Sequence, residues 1–213
     1  MKIKTFVFNP FGECTYLVWD PDTRDAMVID PGMSNARERL TFDSFITEQK
    51  LHLVHMVNTH LHLDHTWGND HLATTYGLKT EASKGDAMLG ARRREQAQMF
   101  GMAHESVGPL KVDVELHKGD VIAVGELRFK VLEVPGHSEG GIALYESAEG
   151  VLFSGDSLFE GSIGRTDLPG GDHRTLITSI RRELLSLPPS TVIYPGHGRP
   201  TTVARELATN PYL

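Results

Sequence analysis

The run Thr59-His60-Leu61-His62-Leu63-Asp64-His65 sets three imidazoles and a carboxylate within six residues, His60 to His65. It follows the apolar stretch Leu51 to Val57, which reads as a buried strand. At a strand end, residues two apart point to the same side, so His60 and His62 can hold one cation together. Asp64 and His65 fall where the chain turns into the polar, helix-like stretch Thr66 to Tyr76, facing back across the same crevice. Imidazole nitrogens bind zinc at about 2.0 to 2.1 Å and carboxylate oxygens at about 2.0 to 2.2 Å, so four donors this crowded can serve two adjacent cations. A chance cluster of surface histidines is the bland alternative, since the chain has 11. It would account for one His-x-His pair but poorly for the whole string.

Three further donors stand in Gly-marked turns downstream: His137 in Val134-Pro135-Gly136-His137, Asp156 in Phe153-Ser154-Gly155-Asp156, and His197 in Tyr194-Pro195-Gly196-His197. The strand-like segments Leu127 to Val134, Gly150 to Ser154 and Thr191 to Tyr194 precede them, so each donor sits on a loop held by a sheet. Glycine lets the backbone turn sharply and approach a metal closely. Any one of the three reads as readily as a plain turn residue; the four motifs in this order carry the argument.

The elements that must position these groups are legible from pattern. Lys2 to Phe8, Cys14 to Trp19 and Ala26 to Asp30 read as strands separated by Asn9-Pro10, Pro21-Asp22 and Pro31-Gly32. Asn35 to Lys50 reads as a helix with Leu40, Phe42, Phe45 and Ile46 near helical spacing. Strand-rich sequence resumes from Val114 to Ser154. A helix follows from about His173 to Ser186, with Leu176, Ile177, Ile180, Leu184 and Leu185 on its sheet-facing side and Pro188-Pro189 to stop it. Two strand blocks, each followed by helices, favour an α/β fold of layered sheets with helices outside, read as one domain over residues 1–213.

Composition sets limits. A 213-residue chain with 39% hydrophobic and 23% charged residues has an ordinary globular balance. Its net charge of −7 argues against a nucleic-acid surface, because phosphate binding needs a basic field. No apolar run reaches the ~18 residues of a membrane span and no signal-peptide core opens the chain, so a cytoplasmic protein is expected, with no membrane partner. The lone Cys14 cannot form an internal disulfide and reads as a small buried strand residue.

The order His-x-His-x-Asp-His, then His, Asp and His, resembles the metallo-beta-lactamase superfamily, and the match spans nearly the whole chain. Ile29-Asp30-Pro31-Gly32, Gln98-Met99-Phe100-Gly101, Gly161-Ser162-Ile163-Gly164-Arg165-Thr166-Asp167 and Asn210-Pro211 bring it nearest to single-domain, glyoxalase II-like bacterial hydrolases. The resemblance implies an αββα sandwich with one metal on His60, His62 and His137, another on Asp64, His65 and His197, and Asp156 bridging them. It also implies that Asp30 supports the metal loop from behind; a simple turn residue is the alternative. Two divalent cations, zinc first and iron or manganese as alternatives, would stand about 3.5 to 4 Å apart and bring the pKa of a water between them from about 15.7 towards neutrality. Hydroxide would then attack a carbonyl, with Asp64 orienting it or accepting its proton. A thiolate leaving group, of pKa about 8.5, suits a site without a strong general acid.

The expected activity is therefore hydrolysis of a small-molecule thioester such as S-D-lactoylglutathione. Two departures bear on the substrate. The chain ends soon after His197, where two-domain relatives carry a helical domain for glutathione, and Ser138-Glu139 stands where relatives often have Thr-Pro. Persulfide dioxygenation by a single iron is the rival enzyme reading, since two His and one carboxylate suffice to hold iron. A lactamase or lactonase is a weaker rival, and a non-catalytic metal-binding scaffold is the alternative of another class.

Arg165 has two open readings: a fixed cation for a substrate carboxylate, or a partner that stiffens its loop through Asp167. Arg92, Arg93 and Arg94 read first as a solvated helix face, with a wall over the metals, including Met99 and Phe100, as the functional alternative. His52, His55, His71, His104, His117 and His173 lack a partner at ligand spacing, although His71 and His173 could support the site indirectly. The oligomeric state is left open by the sequence.

Overall fold

The computed structural model describes residues 1–102 and 107–213; His104 lies outside the described residues. The first sheet is built in chain order from β1 (Lys2–Phe8), β2 (Glu13–Trp19), β3 (Asp25–Ile29), β4 (His52–Val57), β5 (Thr80–Ala82) and β6 (Val114–Glu115). It opens antiparallel and turns parallel from β3 onwards. The second contains β7 (Val121–Val124), β8 (Leu127–Glu133), β9 (Ile142–Glu146) and β10 (Val151–Gly155). A small hairpin of β11 (Leu158–Phe159) and β12 (Ser162–Ile163) leaves it, and the sheet is completed by β13 (Val192–Pro195) and β14 (Thr201–Thr202).

Strand periodicity assigns the faces. Cys14, Tyr16 and Val18 of β2 meet Leu127, Phe129, Val131, Leu144 and Phe153 of the second sheet in one core between the sheets. The alternate residues Leu17 and Trp19 face outwards and pack with α1 (Ala36–Gln49) and α2 (Asn69–Tyr76) through Phe42, Ile46 and Leu72. On the far side Leu132, Ala143, Leu152 and Ile193 are covered by later helices, whereas α3 (Ala87–Ala91) and α4 (Arg93–Met99) lie between the strand blocks. The covering helices are α5 (His173–Ser179), extended by a π-type turn over Ile180–Leu184, and α6 (Val203–Thr209). The result is the expected αββα sandwich.

Local sequence explains the helix limits. The Asn35 side chain caps α1 by accepting from the Arg37 and Glu38 amides, and Lys50 ends it in a left-handed conformation. Asp172 caps α5 through the Thr175 amide at 2.6 Å. One expected core residue is misplaced: Leu40 is 66% exposed. It lies two residues, about 200° of helical arc, from Phe42, so burying Phe42 and Ile46 turns Leu40 outwards. No helix among the described residues is long and apolar enough to cross a membrane.

Topology gathers the strand ends. β8 and β10 are both antiparallel to β9, and β13 is parallel to β10, so all three finish at one edge of the second sheet. β3 and β4, mutually parallel, finish where the first sheet meets that edge. Two hydrogen bonds join the sheets there: Ile142 N to Thr59 O at 2.8 Å and Cys14 N to Gly196 O at 2.8 Å.

Candidate metal centre

All seven sequence-derived donors converge on this shared edge. His60 and His62 lie in the loop after β4, while Asp64 and His65 lie in the single helical turn Leu63–His65 that follows. His137, Asp156 and His197 follow β8, β10 and β13. They form two triads, His60/His62/His137 and Asp64/His65/His197, within each of which the donor atoms lie inside 4.8 Å of one another. His62 Nδ1 and His137 Nε2 stand 2.9 Å apart in the first. In the second, His197 Nε2 is 3.3 Å from Asp64 Oδ2 and 3.3 Å from His65 Nε2. Asp156 lies between them: its Oδ1 is 3.4 Å from His65 Nε2, and its Oδ2 is 3.5 Å from His197 Nε2 and 3.7 Å from His137 Nε2.

Hydrogen bonding on the far side of each ring sets what it offers the centre. His137 Nδ1 is 2.7 Å from the Arg165 carbonyl, which only accepts, so the proton belongs on Nδ1. His65 Nδ1 faces Asp30 Oδ2 at 3.1 Å with the same consequence. His60 Nδ1 faces Thr59 Oγ1 at 3.1 Å, and that hydroxyl gives its own proton to Asp30 Oδ2 at 2.6 Å. All three rings therefore turn an Nε2 lone pair inwards, as metal-ligating imidazoles do. Buried His60 Nε2 and Asp156 Oδ1 have no hydrogen-bond partner. Bare acceptors gathered without donors are costly in a dry site, and a cation satisfies them together, so the residues fit a metal pair.

A third grouping, Asp30 with His60 and His65, has donor spacing too. Its carboxylate is already spent on the Thr59 amide at 2.7 Å, the Thr59 hydroxyl and His65, which makes Asp30 a support. This agrees with the role expected of it. Glycine is needed at Gly196, where a Cβ would collide with Asp156 Oδ1 and come within 2.7 Å of the His65 ring. At Gly136, before His137, φ is +129° and a Cβ would strike Leu176 within α5.

The two triads differ electrostatically. Burial, then the surrounding imidazoles, holds His60 well below the usual histidine range. Burial, then His137, brings His62 down to about 4. Burial would lower His65 as well, but Asp156, Asp64 and Asp30 outweigh it and push it well up. His197 is raised against burial by its hydrogen bond to Asp64 and by Asp156. Burial works to raise Asp64 and Asp156, yet His65 beside them leaves both below the usual carboxylate range.

Several supports were not visible in the sequence. Asp86 accepts from the Leu61 amide at 3.0 Å, the Ser138 hydroxyl at 2.9 Å and the Gly140 amide at 2.6 Å, tying the His62 loop to the His137 loop. Gln96 accepts from the Leu63 amide at 2.9 Å, and Asn58 donates to the His65 carbonyl at 2.7 Å. The partners of Asp86 and Gln96 are distant in sequence, so no spacing rule points to them, and Asn58, seven residues from His65, carries no ligand-type signal. The reading of Arg93 as solvated is corrected: it is fully buried, donating to the carbonyls of Thr66 at 2.9 Å and Gly108 at 2.8 Å and pairing with Asp70. Arg92 and Arg94 are exposed. His71 bonds Asp43 between α1 and α2, and His173 is exposed at the start of α5, so neither contacts the seven donors.

The centre faces a groove of about 380 Å³ walled by Phe11, Phe100, Phe159, Ile163 and Leu168, with Arg165 at its side. Arg165 is engaged in two parallel hydrogen bonds of 2.7 Å to Asp167, the loop-stiffening arrangement.

The model of the metallo-beta-lactamase superfamily matches residues 9–197. The hydroxyacylglutathione hydrolase GloC of Haemophilus influenzae is 37% identical over 220 residues, covering 100% of this chain and 98% of the relative. The crystal structure of the BLEG-1 B3 metallo-beta-lactamase superposes with a TM-score of 0.89 at 30% identity, covering 100% of this chain and 99% of that one. That of TTHA1623 in a di-iron-bound form does so with a TM-score of 0.85 at 36% identity and 100% coverage of both chains. With two His/Asp triads at the shared sheet edge and these full-length likenesses, the chain belongs to the metallo-beta-lactamase superfamily.

Proposed function

We propose that this protein is a metal-dependent hydrolase of acyl thioesters, acting on S-D-lactoylglutathione or a similar acyl-thiol. The observation that carries the reading is the pair of donor triads with Asp156 between them, opening onto a groove large enough for a small molecule. His60, His62 and His137 would hold one divalent cation and Asp64, His65 and His197 the other, with Asp156 shared. Zinc and iron both suit these ligands. When bound, such a pair would supply Lewis acidity and would lower the pKa of a water at the centre.

The remaining work belongs to the chain. Asp64 lines the groove with Asp156 and is the more exposed of the two, its side chain 18% exposed against 12%, so it can orient an attacking water or receive its proton. Asp30 and the Arg165 carbonyl keep His65 and His137 in the required tautomer. Phe11, Phe159 and Ile163 narrow the groove with apolar surface and limit access of bulk water. A thiolate leaves without a strong general acid, and the reading assigns none. For the Arg165 side chain to bind a substrate carboxylate, it would have to exchange Asp167 for it. On this reading residues 1–213 act as one domain, since both sheets contribute to the centre.

The GloC likeness and the presence of two triads favour this reading over persulfide dioxygenation at a single iron. The test pairs elemental analysis of purified protein with thioester hydrolysis before and after chelation. Two metals per chain and hydrolysis abolished by chelator are expected. A single iron, no hydrolysis and oxygen uptake with glutathione persulfide would overturn the proposal in favour of the dioxygenase. Metal binding without turnover of either substrate would leave a scaffold.

A further inference from the structure

A second cavity, of about 310 Å³, opens off the metal groove between α3–α4 and the Leu168–Gly170 turn. The two share His62, Phe100 and Leu168, so they adjoin at His62. Met88, Leu89, Met99 and Pro169 supply its further apolar side chains. The polar groups deepest in it are already committed: Asp86 to three donors around the His62 and His137 loops, Gln96 to the backbone of Leu61, Leu63 and Leu89. Arg92, Glu95 and Glu139 line it too, but all three are exposed, and Arg92 stands 3.7 Å from Glu95. Among the described residues, the buried Asp86 and Gln96 of this wall are thus held within the protein and its charged side chains are exposed, so apolar surface is what the interior chiefly offers an incoming group. Two of its walls are methionines, whose unbranched side chains adapt to ligands of varied shape.

We propose that this side cavity is a substrate subsite that takes an unbranched apolar chain extending from the reacting carbonyl, and so sets the chain-length preference of the enzyme. The proposal rests on the hydrolase reading above. Continuity with the metal groove at His62 makes the substrate itself the occupant: a chain entering here passes His62, a donor of the first triad. The apolar chain can belong to the acyl group or to the thiol, and the two are separable by synthesis.

The test uses metal-loaded protein and two series of neutral thioesters. One lengthens the acyl arm from acetyl to hexanoyl on N-acetylcysteamine; the other lengthens an alkanethiol on a fixed acetyl group. Each buried methylene is worth about threefold to fourfold in kcat/KM, so a rise of at least ~tenfold along one series is expected. The series that rises identifies the arm. Met88→Trp, at a residue 61% exposed and so outside the folded core, fills the cavity mouth and is expected to flatten that rise. Leu207→Trp, on an exposed face of α6, serves as the control and keeps it. A flat response in both series, or a rise indifferent to Met88→Trp, overturns the subsite.

If no thioester turns over, the hydrolase reading fails separately, and the cavity is then judged by calorimetry with hexyl and methyl thioethers of N-acetylcysteamine. Binding of the hexyl compound ~tenfold tighter, lost in Met88→Trp, upholds the subsite. Equal affinity for the two overturns it.

Discussion

The two halves of the candidate metal centre, three histidines in one and two histidines with an aspartate in the other, are prepared in opposite ways. His60, His62 and His137 have no carboxylate within their triad, and burial holds His60 and His62 neutral. His65 and His197 face Asp64 and Asp156, with Asp30 behind His65, and are drawn towards the protonated state. The supports differ in the same sense. A neutral backbone carbonyl, that of Arg165, orients His137, whereas the Asp30 carboxylate orients His65. The first half is a desolvated pocket of lone pairs waiting for charge, and the second is a charge-balanced cluster that must exchange protons for it. Asp156 stands between the halves, its carboxylate within 3.7 Å of His137 in the first and of His65 and His197 in the second.

Removing that carboxylate should have the largest effect. Asp156→Asn keeps the size of the side chain but withdraws the charge between the triads, and thioester hydrolysis is expected to fall on the order of a thousandfold or more. Elemental analysis should show fewer than two metals per chain. Full metal content and near-normal kcat in this variant would mean that the halves do not depend on a shared carboxylate.

Asp30→Ala tests whether the supports distinguish the halves. Asp30 holds His65 directly and His60 only through the Thr59 hydroxyl. Metal affinity is expected to fall about 10- to 100-fold, with the second triad losing more. Asp86→Ala should do the reverse, because Asp86 ties only the His62 and His137 loops together. Competition with a graded set of chelators reads both. Equal losses at both sites in both variants would erase the distinction.

Protonation gives a quieter test of the same contrast. A cation needs neutral imidazole, so binding must expel whatever protons the free site holds. His65 and His197 are raised above about 6.5, hence near that pH the second triad should release protons and gain affinity as pH rises through their folded pKa values. His60 is well depressed and His62 stands at about 4, so these two first-triad imidazoles should release none in the same range. Calorimetry of metal uptake in buffers of different ionisation enthalpy separates the two steps. Equal release in both would show that the carboxylates do not govern the second triad.

What the sequence could show of this contrast follows from the range over which each feature is decided. The ligand string, the Gly-x donors after strands and the alternation of β2 depend on backbone geometry over a few residues, so Thr59 to His65 already implied shared ligation. The burial of Arg93 depends on α4 reaching Thr66 and Gly108, and Asp86 becomes a tie only when two loops 52 residues apart, those of Asp86 and Ser138, meet. Leu40 satisfied helical spacing as loosely as Phe45 did, and only the docking of α1 through Phe42 and Ile46 separated them. The division of the donors into two triads came from the family resemblance; residue spacing alone showed only that two cations could be served.

Arg165 brings the smallest effect and the finest discrimination. Its side chain and its carbonyl do different work: the guanidinium is more than half exposed and paired with Asp167, while the carbonyl accepts from His137 inside the first triad. Exposed pairs of this kind contribute little to stability, and truncation of the side chain leaves the carbonyl where it is. Arg165→Ala is therefore expected to keep two metals per chain, leave Tm unshifted within error and change KM for a neutral thioester by less than about threefold. For a thioester bearing a carboxylate, a rise in KM beyond ~tenfold at unchanged metal content would show that the guanidinium exchanges Asp167 for substrate. Loss of one metal instead would mean that the Arg165–Asp167 pair holds the loop that presents the carbonyl. In that case the first triad, for all its lack of carboxylates, would also depend on an ion pair, one step further from the metal.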